Sequence, residues 1–429
     1  MRFVINGGKK LEGEVKISGS KNAALPILAA TLLTDQICVL KNVPDIEDIH
    51  TMLKILRSLG SEIEFKNHTV RIQTKHIKQE NIDLKLGCKM RASVLLLGPL
   101  LARMGYAKLP YPGGCVLGAR PINTHTEVLA QLGIKKLPSK DEEIIFKGKP
   151  TKFEVILPEF SVTATENAIM AAALSTKEIQ IRLAAIEPHV QDLCNFLVKM
   201  GVSVKGIGPH SLKIKGPSTP PTLKLRRAGK NPKLITYRIT PDYLEVGTFV
   251  VAAILTRGNV TIKNIAKEHL DAFWNLLRKM GVNFKFGSNY VKILPTKTWD
   301  ACERLQTNVF PGFPTDLQPP FVVLLTQAVG DSYVHEALFE GRFKYFPELC
   351  KMGAQFEVKN QHEAIVKGGT PLKGTTIKSW DIRAGAAMIL AGLAAKGETV
   401  VTDIKYIDRG YEKLDEKLRA LGADIRRVE

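Results

Sequence analysis

Little in this chain can cross a membrane, form a disulfide or stack on a nucleic-acid base. The most apolar windows, Val94 to Ala102, Val246 to Leu255 and Ala384 to Ala395, are too short to span a bilayer and read as buried helices. Met1 leads directly into the strand-like Arg2-Phe3-Val4-Ile5 with no long apolar segment behind it, so a cytoplasmic protein that makes no use of a membrane is expected. Cysteine occurs six times, at 38, 88, 115, 194, 302 and 350, with no CxxC pair. That spacing argues against a zinc site or disulfide frame and for reduced core thiols, and no metal or organic cofactor is called for. Aromatic residues are 7% of the chain and no basic-aromatic motif of the RNA-binding type occurs, which argues against specific nucleic-acid recognition. Acidic residues are also few, 42 against 61 basic, for a net charge of +19. An anionic small substrate is the reading left for that excess. The densest basic run, Lys224 to Lys233, lies in a Pro-, Gly- and Lys-rich segment from Pro217 and reads as a solvated loop.

What is present is repetition. At 429 residues the chain is too long for one ordinary core. A helix ending in Leu or Met, then Gly, then a strand-like run recurs at Gly60, Gly133, Gly201, Gly281, Gly353 and Gly422, spaced by 68 to 80 residues. Each glycine sits where a helix ends in the left-handed conformation. The helix before it is amphipathic, as in Met52-Leu53-Ile55-Leu56-Leu59 and Phe273-Leu276-Leu277-Met280. A second type alternates with the first: Asn22 to Leu33, Arg91 to Met104, Thr165 to Leu174, Glu245 to Thr256, Asp316 to Val329 and Arg383 to Ala395 are apolar nearly all round. Such helices must be buried on every side. The expectation is an α/β protein of six helix-strand units with helices inside and sheets outside. Its two three-unit domains are expected at 21–240 and at 1–20 with 241–429.

One stretch would not pack as core. Pro112-Gly113-Gly114-Cys115-Val116-Leu117-Gly118-Ala119-Arg120-Pro121-Ile122-Asn123-Thr124-His125 combines hinge-permitting glycines with one thiol and one guanidinium, and reads as an active-site loop. Charged residues also head the buried helices: Lys21-Asn22, Arg91, Asp316 and Arg383. A cation at a helix N-terminus opposes the helix dipole, so the basic members of this set are expected to face an anion.

That loop, with Gly19-Ser20-Lys21-Asn22-Ala23-Ala24-Leu25-Pro26, Met90-Arg91-Ala92-Ser93, Phe313-Pro314-Thr315-Asp316, Phe339-Glu340-Gly341-Arg342-Phe343, Asp381-Ile382-Arg383-Ala384 and Asp408-Arg409-Gly410-Tyr411, closely resembles the UDP-N-acetylglucosamine 1-carboxyvinyltransferase family of enolpyruvyl transferases. The seven motifs run in the family's order from end to end, apart from an apparent insertion around Pro217 to Lys233. The resemblance implies a two-domain inside-out α/β barrel. It also implies transfer of the enolpyruvyl group of phosphoenolpyruvate to the 3-hydroxyl of UDP-N-acetylglucosamine with release of phosphate, the first committed step of peptidoglycan synthesis. By the match, Cys115 is the proton donor and can form an adduct with the substrate, and Asp316 serves the 3-hydroxyl as base or orienting group. Lys21, Asn22, Arg120 and Arg409 would hold phosphoenolpyruvate, with Arg383 supporting them. The sugar nucleotide would lie along Asn22, Arg91, Arg120, Pro121, Ile122, Asn123, Thr124, Ser161, Val162, Asp316 and Leu338. No oligomeric state follows from the resemblance.

Two positions depart from the pattern. Glu159 stands where members often carry Lys near the diphosphate, and Thr163 where many carry Gly; a milder change puts Asn123 where Asp is more usual. Three alternatives stand beside the main reading: the sister activity on shikimate 3-phosphate, which lacks a cysteine loop of this kind; a basic binding protein without catalysis; and a paralogue acting on a modified sugar nucleotide.

Overall fold

The computed structural model describes residues 1–79, 82, 84–113, 122–139, 143–217 and 234–429. Cys115, Arg120, Pro121 and nearly all of the Pro217 to Lys233 insertion lie outside the described residues. The chain divides into two compact units, one formed between Gly19 and Thr240, the other from Met1–Ser18 with Pro241–Glu429.

Three buried helices lie in each unit. The Gly19 to Thr240 unit has α1 (Lys21–Ala30), α2 (Leu97–Met104) and α3 (Val162–Ala172); the other has α4 (Tyr243–Leu255), α5 (Gln318–Thr326) and α6 (Ile382–Ala394). Every residue of α4 and α5 is buried, as an all-round apolar helix requires. Two starts come later than expected. Arg91 opens a 3-10 stretch, Arg91–Leu96, and α2 begins at Leu97; Asp316 lies in a 3-10 turn, Thr315–Leu317, ahead of α5. Pro99, Pro319 and Pro320, which have no N–H, fall in the first turns of α2 and α5, where the N–H needs no intrahelical partner. At α4, Asp242 sets the start by accepting from Leu244 N–H at 2.9 Å and Glu245 N–H at 3.2 Å.

The sheets repeat one plan. In five of the six sheets among the described residues the strand that follows a buried helix pairs in parallel with an edge strand and antiparallel with the strand beyond, as in Ile235–Arg238, Cys38–Lys41, Thr69–Gln73, Glu62–Lys66; the sheet of Tyr106–Pro110, Glu143–Lys147 and Lys135–Leu137 is antiparallel throughout. Glu12–Lys16, Asn259–Lys263, Tyr290–Ile293 and Phe284–Phe286 have the same order. In the last repeat the N-terminal strand Arg2–Asn6 inserts between Glu398–Thr402 and Asp424–Val428 and so occupies the third place of a unit that ends with the chain. The six repeat glycines all have positive φ, from 77° at Gly281 to 100° at Gly353, and a strand follows each.

Gly98 fixes how closely α2 and α3 approach. A Cβ there would lie 2.6 Å from the Asn167 carbonyl oxygen and 2.8 Å from the Met170 Cβ. That contact carries the Asn167 side chain to the Gly98 backbone, where Gly98 N–H donates to Asn167 Oδ1 at 2.7 Å.

Candidate active site

In the unit completed by Pro241–Glu429, the turn before α5 presents Asp316 to two arginines. Arg342 Nη2 donates to Asp316 Oδ1 at 2.9 Å and Arg383 Nε to Asp316 Oδ2 at 3.2 Å. The guanidinium side chains are 1% and 5% exposed, while the carboxylate between them is 31% exposed. Asp316 is therefore held from behind and open in front. Burial opposes the charge of Arg383, but Tyr411, Asp316 and Asp242 outweigh it and hold the group above its usual pKa; Arg342 is likewise kept cationic against burial by Asp316, Asp381 and Glu336.

Glu336 ties this clamp to the neighbouring loop. The Thr315 hydroxyl donates to Glu336 at 2.9 Å, Arg342 Nε donates to Thr315 Oγ1 at 3.1 Å, and Glu336 Oε1 accepts from the backbone of Leu338 at 3.1 Å and Phe339 at 3.3 Å. Leu338 and Asp316, both expected at the sugar, are thus joined through one buried carboxylate. Asp381 caps α6 by accepting from the N–H groups of Arg383 and Ala384 at 2.7 and 2.8 Å, which fixes the root of the Arg383 side chain. Its guanidinium lies over the Tyr411 ring at 5.1 Å. Arg409 stands half-buried at the end of the short helix Lys405–Asp408.

In the Gly19 to Thr240 unit, Lys21 opens α1, whose N-cap is Ser20, with Asn22 beside it. Lys21 Nζ meets Asp48 Oδ2 at 3.3 Å. The cationic helix starts do face anions: Lys21 meets Asp48, and Arg383 meets Asp316. α1 packs against the 3-10 stretch headed by Arg91. Ile122 is buried, and Asn123 opens the helix Asn123–Gln131.

The departures from the family pattern are paired with each other's neighbours. The Thr124 hydroxyl donates to Glu159 Oε1 at 2.6 Å, and His125 Nε2 lies 3.1 Å from Thr163 Oγ1. Ser161 is the N-cap residue of α3 and Val162 its first residue; both are half-buried. Burial, with Arg91 adding to it, pushes the His125 pKa down to about 4. The folded value lies below the ordinary 6.5, so protons favour the unfolded chain, and stability present above pH 6.5 is lost as pH falls toward 4. His125 should account for about 2 kcal/mol of the loss between pH 7 and 5. The melting temperature of a His125→Asn protein should then fall less over that interval than that of the parent, and equal slopes would contradict the assignment.

Arg342, Glu336, His125 and Asn167 received no role from the sequence. Arg342 stood in a quoted motif, and its signal was one cation among Phe339, Phe343, Tyr345 and Phe346; that of Asn167 was one amide in an apolar helix. Of the thiols, Cys38, Cys194 and Cys302 are buried as expected, but Cys88 and Cys350 are exposed. Burial pushes Cys38 and Cys194 up to about 12, so neither is a reactive thiolate.

Comparison with known proteins agrees over the whole length. The family model of EPSP synthase (3-phosphoshikimate 1-carboxyvinyltransferase) matches residues 5–418. A UDP-N-acetylglucosamine 1-carboxyvinyltransferase of Campylobacter hominis is 41% identical over 425 residues, 99% of this chain and 98% of that protein. The UDP-N-acetylglucosamine 1-carboxyvinyltransferase 1 of Carboxydothermus hydrogenoformans is 42% identical over 428 residues, 100% of this chain and 98% of its own. Among solved structures, the enolpyruvyl transferase NikO from Streptomyces tendae matches with a TM-score of 0.88 at 24% identity, over 99% of this chain and 98% of that one. EPSP synthase from Acinetobacter baumannii matches at 0.74 and 17% identity over the full length of both. The solved structures share the fold, and the curated relatives share the sequence throughout: this chain belongs to the UDP-N-acetylglucosamine 1-carboxyvinyltransferase family of enolpyruvyl transferases.

Proposed function

We propose that the protein transfers the enolpyruvyl group of phosphoenolpyruvate to the 3-hydroxyl of UDP-N-acetylglucosamine and releases phosphate, the first committed step of peptidoglycan synthesis, in the cytoplasm. The full-length likeness to relatives of that name carries the choice of acceptor. Each unit is read as half of an inside-out α/β barrel, an assignment supported by its three buried helices and its repeated sheets.

The chemistry is addition followed by elimination. In addition, the acceptor oxygen bonds to C2 of phosphoenolpyruvate, its proton leaves, and a proton is delivered to the vinyl CH2 carbon. Elimination removes a proton from the resulting methyl group and breaks the bond to phosphate. Asp316, open on one face and anchored by Arg342 and Arg383 on the other, suits the acceptor hydroxyl. Cys115 is assigned the proton delivered to the CH2 carbon. Lys21, Asn22, Arg120 and Arg409 are assigned to phosphoenolpyruvate, with Arg383 supporting the charge. Asn22, Arg91, residues 120–124, Ser161, Val162 and Leu338 are assigned to the sugar nucleotide.

Fosfomycin, an epoxide that alkylates the loop thiol of this family, tests the role of Cys115. Incubation should end phosphate release irreversibly, and mass spectrometry of the digested protein should place one adduct on Cys115. Full activity after long incubation would remove Cys115 from the mechanism.

A further inference from the structure

Arg409, assigned above to phosphoenolpyruvate, follows the last residue of a helix only four residues long, Lys405–Asp408. So short a helix cannot hold its own shape, and its place is set by what touches it. Asp408 is gripped from the strand Asp424–Val428: Arg427 Nη1 donates to Asp408 Oδ2 and Arg427 Nη2 to Asp408 Oδ1, both at 2.8 Å. One guanidinium fork thus takes both carboxylate oxygens, which fixes the plane of the carboxylate as well as its distance. Arg427 Nη2 also donates to Asp415 Oδ1 at 3.1 Å, and Arg419 Nη2 donates to Asp415 Oδ2 at 3.1 Å. The Asp415 side chain is buried in the first turn of the helix Leu414–Ala420. Behind the fork, the Arg427 guanidinium lies 4.8 Å from the ring centroid of Phe3, its buried cross-strand neighbour in Arg2–Asn6.

The segment is held on the other side of Arg409 as well. Gly410 comes so close to the first residue of α6 that a Cβ there would lie 2.4 Å from Ile382 Cγ2, and the Tyr411 hydroxyl is 2.9 Å from Thr248 Oγ1 on α4. Arg409 therefore sits between two anchors. With about a third of each side chain exposed, the Arg427–Asp408 pair would add little to stability alone. Its bidentate geometry and its link to Asp415 instead define where one backbone segment lies. The pair also neutralises the carboxylate next to Arg409 in the chain, whose charge has the sign of the phosphate and carboxylate that Arg409 is assigned to hold. We infer that Arg427 is a positioning residue for enolpyruvyl transfer, acting through Asp408 to set Arg409 against phosphoenolpyruvate and to neutralise the carboxylate beside it.

This inference rests on the assignment of Arg409 to phosphoenolpyruvate, which Arg409→Met tests separately: its KM for phosphoenolpyruvate should rise more than that of any Arg427 variant. Arg427→Met keeps the stem and removes the fork. Its KM for phosphoenolpyruvate should rise about five- to tenfold, with kcat within about twofold of the parent and the KM for UDP-N-acetylglucosamine unchanged. Arg427→Lys keeps the charge and loses the fork, so it should fall between Met and the parent. Asp408→Asn should raise the same KM less, because no unpaired carboxylate is left, and adding Arg427→Met to it should cost less than about twofold more. If the Met protein is insoluble, the comparison is read on Arg427→Lys, alone and with Asp408→Asn. An unchanged KM for phosphoenolpyruvate, an equal rise in both KM values, or full additivity with Asp408→Asn would each overturn the inference while Arg409→Met still showed its loss. An Arg409→Met protein with the parent's KM for phosphoenolpyruvate would overturn the inference and the assignment together.

Discussion

Asp316→Asn should lower kcat by about a hundred- to ten-thousand-fold, the range for loss of a group acting in proton transfer. Asn has nearly the same shape, but one oxygen becomes an NH2 group. Both Asp316 oxygens accept from guanidinium N–H groups, from Arg342 at 2.9 Å and Arg383 at 3.2 Å, so either orientation of the amide turns a donor toward a donor. The variant therefore loses its charge and its anchoring together. Asp316→Glu separates the two, because it keeps the charge and moves it by one methylene. If Asp316 only orients the hydroxyl, Asn should lose mainly in KM; if it takes the proton, the loss should lie in kcat for both variants. A kcat within threefold of the parent for Asn would remove Asp316 from the chemistry.

Arg342→Met should produce the largest loss of stability. The side chain is 1% exposed and joins Asp316, Thr315 and, through Thr315, Glu336. Methionine fills much of the space and supplies no charge. The carboxylates of Asp316, Glu336 and Asp381, which hold Arg342 cationic against burial, lose a shared counter-charge. Breaking a buried pair from one side typically costs about 3–5 kcal/mol, because the partner is left uncompensated. For a unit of this size the cost corresponds to a melting transition lower by about 10 °C, readable by calorimetry. Arg342→Lys should fall between the two, since a single ammonium cannot serve Thr315 and Asp316 as the guanidinium fork does. A Met variant melting within about 2 °C of the parent and turning over normally would show that Arg383 alone positions Asp316.

The parts that were legible in the sequence were those written in local pattern. The six repeat glycines marked helix ends because only the backbone at each position matters, and all six have positive φ. The all-round apolar helices declared their own burial, and Pro99, Pro319 and Pro320 fall in the first turns of two of them. What was not legible depends on partners distant in the chain. Asn167 looks like a stray amide until Gly98 and His125 are brought to it, and Arg342 looks misplaced among aromatics until Asp316 and Thr315 lie beside it. Glu159 has a hydroxyl partner in Thr124 that spacing could not reveal.

Phosphate release from phosphoenolpyruvate measures the identity of the acceptor most directly. In parallel assays with UDP-N-acetylglucosamine and shikimate 3-phosphate, phosphate release should be stoichiometric with UDP-N-acetylglucosamine and absent above background with shikimate 3-phosphate. Release with shikimate 3-phosphate alone would contradict the proposed acceptor.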